Sequence, residues 1–166
     1  MAMRALVLTI SDGVSAGARE DTSGAALSAR LEQLGFDVES NVVSDEMEQI
    51  AVAITDAAAA CELIVATGGT GLGPRDRTPQ TLHALLDYEI PGFGELMRSY
   101  GRSKTPMADL SRSLAGVLGS TLVIAVPGSK SGATESLAAL EPLLDHALET
   151  LHGHTQHAAG EAPEQG

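Results

Sequence analysis

Residues 67–79 have the sequence Thr-Gly-Gly-Thr-Gly-Leu-Gly-Pro-Arg-Asp-Arg-Thr-Pro, and the rest of the chain is interpreted outward from this glycine loop. The apolar residues 63–66 (Leu-Ile-Val-Ala) precede it and predict a buried strand. Thr78 and Pro79 end it and predict the N-cap and first position of a helix. A strand, a glycine loop and a helix N-terminus together favour an anion-binding site. The alternative is a tight turn that binds nothing.

The glycine loop differs from two common phosphate-binding motifs. It lacks the Gly-Lys-Ser/Thr of the phosphate loop, and it does not follow the first strand, as the dinucleotide fingerprint does. Asp76 lies between Arg75 and Arg77. A carboxylate beside a phosphate site is favourable when a divalent cation lies between them. The alternative is that Asp76 pairs with its neighbouring arginines at the surface.

Composition favours one soluble α/β domain. The 166 residues are 43% hydrophobic but only 2% aromatic, which is typical of an aliphatic core between helices and a parallel sheet. The net charge of −12 opposes binding to nucleic acid or anionic membranes. The single cysteine, Cys61, is predicted to be a small buried residue. Because no long apolar span or signal peptide is seen, we expect a cytoplasmic protein.

Polar residues follow the first two predicted strands. Residues 4–10 predict a central strand, and Ser11 and Asp12 at its carboxyl end are candidates for the site. Capping and turn formation are their alternative roles. Residues 36–43 predict a second strand nearer the sheet edge, and Asp45 follows it. Asp45 could equally be the N-cap of the next helix.

The remaining pattern predicts an open three-layer α/β/α sheet that is mostly parallel. Residues 115–119 predict a short edge strand, and residues 121–126 predict a buried strand that ends in the Pro-Gly-Ser loop 127–129. Right-handed crossovers place the glycine-rich loops at the strands' carboxyl ends on one edge. The final helix is predicted over about residues 133–151, completing a domain of residues 1–152. Residues 153–166 are predicted to be a disordered tail.

Several motifs in this order resemble the Mog/MoaB family of molybdenum cofactor biosynthesis proteins. They are Thr-Ile-Ser-Asp-Gly (9–13), Asp-Thr-Ser-Gly (21–24), the glycine loop, Ile-Pro-Gly-Phe-Gly-Glu-x-x-Arg (90–98), Leu-Ser-Arg (110–112) and Pro-Gly-Ser (127–129). The resemblance extends over about residues 4–151. It implies a homotrimeric α/β/α protein that transfers AMP from ATP, with Mg²⁺, to the terminal phosphate of molybdopterin. A contact with the molybdenum-insertion protein is a further implied partnership.

The resemblance also implies roles for individual residues. The family's catalytic and metal-binding acids correspond to Asp45 and Asp76, although Ser44 replaces an expected proline and leaves Glu46 as a competing assignment. The molybdopterin side corresponds to residues of three loops: Ser11, Asp12, Gly68, Gly69, Thr70, Ser111 and Arg112. The nucleotide side corresponds to Gly71, Pro127, Gly128 and Ser129. Arg75, Arg77 or Lys130 could assist the leaving pyrophosphate.

Two other functions remain open at this point. A non-catalytic relative could bind molybdopterin and pass it on, but some such relatives lack the acids after strands one and three, which this chain retains as Asp12 and Asp76. A generic nucleotide-binding interaction module would require the whole motif set to be coincidence. Incubation with ATP, magnesium and molybdopterin distinguishes the three.

Overall fold

The structure is a computed structural model that describes residues 1–153. The predicted tail therefore lies, apart from Gly153, outside the described residues. The elements in chain order are β1 Arg4–Ile10, α1 Asp12–Ser15, α2 Thr22–Gln33, β2 Asp37–Val43, α3 Met47–Ala58, β3 Leu63–Thr67, α4 Thr78–Leu85, β4 Tyr88–Glu89, α5 Pro91–Arg102, a 3₁₀ helix Pro106–Leu110, β5 Leu114–Leu118, β6 Thr121–Val126 and α6 Lys130–Leu151.

The six strands form one open sheet in the order β2-β1-β3-β6-β5-β4. The four strands β2, β1, β3 and β6 are parallel, whereas β5 and β4 are antiparallel additions, so the predicted mostly parallel sheet is confirmed. The prediction that β5 forms an edge is wrong, because β4 pairs with its outer side. With only two residues, β4 is too short to produce a hydrophobic period in the sequence.

Alternate residues of the central strands enter two separate cores, which makes the fold three-layered. In β1, Val7 packs on the side of α2, α5 and α6, while Leu8 packs on the side of α3 and α4. Both side chains are essentially inaccessible to solvent. Strands buried on both faces are near-continuous apolar runs, as in residues 63–66. Cys61 is buried in the second core, as predicted.

Strand register places the site loops together. Ile10 pairs with Val43, and Thr67 pairs with Thr9 on one side and Val126 on the other. The carboxyl ends of β1, β2, β3 and β6 therefore end at nearly the same level. The loops that follow them share one edge of the sheet, as the right-handed crossovers predicted.

Two helix starts differ from the sequence prediction. Arg77, not Thr78, is the N-cap of α4, because the buried Thr78 hydroxyl donates to the Gly68 carbonyl at 2.8 Å. Helix α6 begins at Lys130, ahead of the predicted residue 133, because the Ser129 hydroxyl accepts a bond from the Gly132 amide at 3.1 Å. Within residues 1–153, no helix is both long enough and apolar enough to cross a bilayer.

Candidate functional site

A cleft of about 630 Å³ opens between the glycine loop, α5 and the start of α6. This volume is within the usual range for a small-molecule site, roughly 300–1,000 Å³. Most of the sequence-predicted site residues line it: Gly69, Thr70, Gly71, Asp76, Ser111, Pro127, Gly128 and Ser129. The structure thus brings the glycine loop and the Pro-Gly-Ser loop to one cavity, although they are about sixty residues apart in sequence.

The glycine loop packs tightly against the neighbouring strand ends. Gly68 has a φ of +107°, and a Cβ placed there would overlap the main-chain oxygen of Ile10. Its amide donates to the Val126 carbonyl at 3.1 Å. A Cβ on Gly128 would lie 3.2 Å from the Gly68 Cα. The loops after β1, β3 and β6 are therefore in direct main-chain contact around Gly68.

Arg112 makes several hydrogen bonds to main-chain carbonyls of the glycine loop. Its guanidinium donates twice to the Gly71 carbonyl, at 2.9 and 2.7 Å, and once to the Asp76 carbonyl at 2.8 Å. Its amide also donates to the Thr70 carbonyl at 2.9 Å. Arg112 does not line the cleft, unlike Ser111. The structure therefore places Arg112 as a support of the loop's shape, rather than beside a ligand in the cleft.

The carboxylates of Asp12 and Asp45 each accept a hydrogen bond from the main-chain amide of the other residue. The Asp45 Oδ2 accepts the Asp12 amide at 2.9 Å, and the Asp12 Oδ1 accepts the Asp45 amide at 3.0 Å. Asp45 is not the N-cap of α3, because Glu46 occupies that position without a side-chain bond. The Asp45 Oδ1 lies 3.4 Å from where a Gly69 Cβ would be. One oxygen of Asp45 thus remains beside the glycine loop.

Arg75 bridges the loops after β1, β2 and β3. Its guanidinium donates to both carboxylate oxygens of Asp12 at 3.0 Å and to Glu46 at 2.8 Å. The side-chain bond from Arg75, aided by the Asp45 amide, holds the pKa of Asp12 below its usual value. Partial burial raises the pKa of Asp45, and the nearby Asp12 and Asp76 charges add to that effect. Because Arg75 pairs with Asp12 and Glu46, it forms no ion pair with Asp76 among residues 1–153.

Replacement of Arg75 by methionine is expected to raise the pKa of Asp12 toward its ordinary value of 3.8. In the wild type the lowered pKa favours the folded state at pH values above 3.8, and this contribution is lost as pH falls through the lowered pKa. Carboxyl NMR titration measures the change directly. Arg102→Met, which removes a surface pair with Asp109, is the control. An unchanged Asp12 pKa would assign the effect to the Asp45 amide instead.

Asp76 lies half-buried at the inner side of the glycine loop. Its Oδ2 accepts the Gly73 amide at 2.8 Å, and among residues 1–153 its Oδ1 accepts no hydrogen bond. Within the described part of the chain, no cluster of three or more His, Cys, Asp and Glu side chains is placed to hold a metal. Mg²⁺ commonly uses only one or two protein carboxylates together with substrate phosphates. The oxygens left by Asp76 and Asp45 fit that donor set.

Two motif segments have structural contacts outside the cleft. The Ser11 hydroxyl accepts the Val14 amide and caps α1, so the capping alternative holds for Ser11. Asp21 caps α2 through the Gly24 amide at 2.9 Å and accepts the Thr9 hydroxyl at 2.8 Å. These residues fix the helices that begin at the site edge. Among the predicted site residues, those that do not line the cleft are Ser11, Asp12, Asp45, Gly68 and Arg112.

Sequence reasoning missed the far wall of the cleft. This wall comes from α5, the 3₁₀ helix and the second turn of α6, and includes Met97, Arg98, Met107, Leu110, Glu135 and Ser136. Arg98 belonged to a quoted motif but received no role. Ser136 is only 6% exposed, and this polar residue within the apolar stripe of α6 was the available signal.

Comparison with known proteins agrees with this architecture. Residues 6–146 match the family model described as a probable molybdopterin binding domain. A molybdenum cofactor biosynthesis bifunctional protein of Synechococcus elongatus is 45% identical over 90% of this chain and 47% of its own length. The chain thus spans about half of that relative. A molybdopterin adenylyltransferase of Helicobacter pylori is 36% identical over 89% of this chain and 87% of its own length.

The solved structures agree with the sequence relatives. The molybdopterin biosynthesis enzyme MoaB of Thermus thermophilus superposes with a TM-score of 0.84 at 46% identity, covering 91% of this chain and 97% of that one. A match over this fraction confirms the predicted α/β/α fold. The chain therefore belongs to the Mog/MoaB family of molybdenum cofactor biosynthesis proteins.

Proposed function

We propose that this protein is a molybdopterin adenylyltransferase that uses Mg-ATP. An oxygen of the terminal phosphate of molybdopterin attacks the α-phosphorus of ATP. The bond between the α-phosphorus and the bridging oxygen breaks, and pyrophosphate leaves with the electron pair. The name of the Helicobacter pylori relative, which aligns over nearly its whole length, supports this reaction.

The observation that supports it most is a pair of amide clusters in one cleft. Among residues 1–153, the amides of Gly69, Thr70 and Gly71 donate no hydrogen bond, and these residues line one side. Across the cleft, the Gly132 and Ala133 amides of α6 donate to Ser129, whereas the Lys130 and Ser131 amides donate no hydrogen bond among residues 1–153, and Ser131 lines the cleft. Amides with unused donors at a glycine loop and a helix N-terminus favour phosphate. Two such clusters suit a reaction that joins two phosphate-bearing substrates.

The carboxylates limit where the metal would bind. Asp76 and Asp45 would hold Mg²⁺, which when bound would neutralise charge on the leaving pyrophosphate. Without a cation, two carboxylates at this position would repel phosphate, particularly on a chain of net charge −12. Hydrogen bonds from Arg112 and Arg75 fix the relative positions of the loops that bear these acids. The partial desolvation of Asp45 strengthens its attraction for a divalent cation.

Incubation of the protein with ATP, Mg²⁺ and molybdopterin is expected to yield adenylyl-molybdopterin and pyrophosphate. Chromatographic detection of the adenylylated pterin measures the product directly. EDTA in excess over Mg²⁺ should abolish product formation and weaken ATP binding. Equal ATP affinity with and without EDTA would count against a metal bridge.

Three other outcomes of this assay have distinct meanings. Retention of molybdopterin without adenylylation would identify a binding or carrier member of the family instead of an enzyme. Failure to bind either ATP or molybdopterin would contradict both functions. Pyrophosphate release without molybdopterin would indicate ATP hydrolysis and a different acceptor.

A further inference from the structure

Thr67 is a buried residue that connects the two loops of the cleft without lining it. It is the last residue of β3 and is only 1% exposed. Its main chain leads directly into the glycines of the glycine loop, and its hydroxyl donates to the Pro127 carbonyl at 2.8 Å. One side chain thus links the glycine loop to the first residue of the Pro-Gly-Ser loop.

A second hydroxyl fixes the orientation of this bond. Ser23 is buried in the first turn of α2, and its hydroxyl oxygen lies 3.3 Å from that of Thr67. A hydroxyl carries one proton and can accept two hydrogen bonds. The shorter bond to Pro127 takes the Thr67 proton, so Ser23 donates to Thr67. The Thr67 hydroxyl is therefore held in one orientation between α2 and the Pro-Gly-Ser loop.

The Pro127 carbonyl depends on Thr67 for its hydrogen bond. Among residues 1–153 it accepts no other, because the Gly68 amide bonds the preceding residue, Val126. Gly128, the next residue, is exposed and has no side chain to restrain the loop. Without the Thr67 hydroxyl, the carbonyl would regain a hydrogen bond by turning toward water. Loss of this one donor is therefore expected to displace the Pro-Gly-Ser loop.

A displacement of Pro127 extends to the start of α6. The Ser129 hydroxyl and carbonyl both accept amides of the first turn of α6, at 3.1 and 2.9 Å. The Pro-Gly-Ser loop and this turn should therefore move together. The Lys130 and Ser131 amides, which donate no hydrogen bond among residues 1–153, move with them. The bond from Thr67 thus determines how far these amides lie from the amides of the glycine loop.

From these contacts we infer that Thr67 is a positioning residue for the proposed adenylyl transfer, on which this inference rests, and that its hydroxyl sets the spacing of the two amide clusters. The attacking oxygen and the phosphorus must approach to about 3–3.5 Å, and a misplacement of about 1 Å can lower the rate roughly a hundredfold. Each cluster remains intact by itself when the spacing changes. The rate of transfer therefore depends on Thr67 more than the binding of either substrate alone.

The test is Thr67→Val, which keeps the shape of the side chain and removes the hydroxyl. Its kcat should fall at least about tenfold, while the Kd of molybdopterin and the Kd of ATP, each measured alone by equilibrium dialysis, stay within about twofold. Thr67→Ala also lacks the hydroxyl and should give the same result without placing a methyl group beside the carbonyl. Thr67→Ser should recover most of the kcat, because it keeps the donor.

Thr121→Val is the matched control. Thr121 is a buried threonine at the opposite end of the sheet, and its hydroxyl donates to the Cys61 carbonyl at 2.7 Å. The variant therefore loses the same kind of bond and should be destabilised to a similar extent, but its kcat should stay within about twofold. Equal losses of kcat in Thr67→Val and Thr121→Val would assign the effect to general destabilisation and overturn the inference.

Amide NMR spectra separate this inference from the proposed function, because they need no turnover. The Lys130 and Ser131 signals should shift in Thr67→Val and stay in place in Thr67→Ser and Thr121→Val. A wild type that transfers no adenylyl group would contradict the proposed function, and unshifted signals would overturn the inference in either case. So would an unchanged kcat in folded Thr67→Val, or a loss of affinity for one substrate alone, which would place Thr67 in that substrate's site.

Discussion

Replacement of Asp76 by asparagine is expected to lower the turnover of adenylyl transfer at least about a hundredfold, equivalent to ~2.7 kcal/mol in the barrier. Asparagine keeps the size of the side chain and removes the charge that would hold Mg²⁺. The Gly73 amide at 2.8 Å can still donate to the asparagine carbonyl, so the loop should keep its shape. Molybdopterin binding should survive, because the amides of the glycine loop are unchanged.

Asp56→Asn is the matched control, since Asp56 is an exposed residue of α3 away from the cleft. It should leave turnover within about twofold, in line with the small effects of most surface substitutions. Near-normal turnover of Asp76→Asn would contradict a catalytic role for Asp76. Loss of molybdopterin binding in a folded Asp76→Asn variant would place Asp76 in the pterin subsite instead. Both results are available from one dialysis and one product assay.

The sheet and the position of its loops were predictable because their signals are local. Residues 63–66 and 122–126 are continuous apolar runs, and each is followed closely by a glycine-rich loop. Parallel strands joined by right-handed crossovers then leave one edge at which those loops can meet. The two-residue strand β4 could not be predicted, since its pairing with β5 depends on tertiary contact and not on composition.

The contacts within the site were less predictable than its location. The motifs identified Arg112 and Asp12 as belonging to the site, but not that Arg112 supports the loop or that Arg75 holds Asp12. A long arginine side chain can reach several loops, and sequence spacing does not determine which one it reaches. Glu135 was missed for the opposite reason, because its helix was interpreted from the leucine stripe that packs into the core.

Replacement of Gly68 by alanine is expected to lower the free energy of unfolding by about 2–5 kcal/mol. A φ of +107° costs an L-residue about 1–2 kcal/mol, and steric overlap adds roughly 1–3 kcal/mol. The overlap is with the Ile10 carbonyl oxygen, which belongs to the main chain of β1 and cannot rotate away as a flexible side chain could. Relief therefore requires the glycine loop to move away from the strand end.

Gly35→Ala isolates the two contributions, because Gly35 has a similar φ of +94° but no atom within 4 Å of an added Cβ. It should cost only the conformational part, about 1–2 kcal/mol, and leave adenylyl transfer unchanged. Urea denaturation of both variants gives the difference that belongs to the contact with Ile10. If Gly68→Ala were no less stable than Gly35→Ala, the close packing of the glycine loop on β1 would not contribute to stability. If it were less stable yet fully active, the loop would tolerate displacement. That result would contradict the proposal that phosphate binding requires the loop amides in fixed positions.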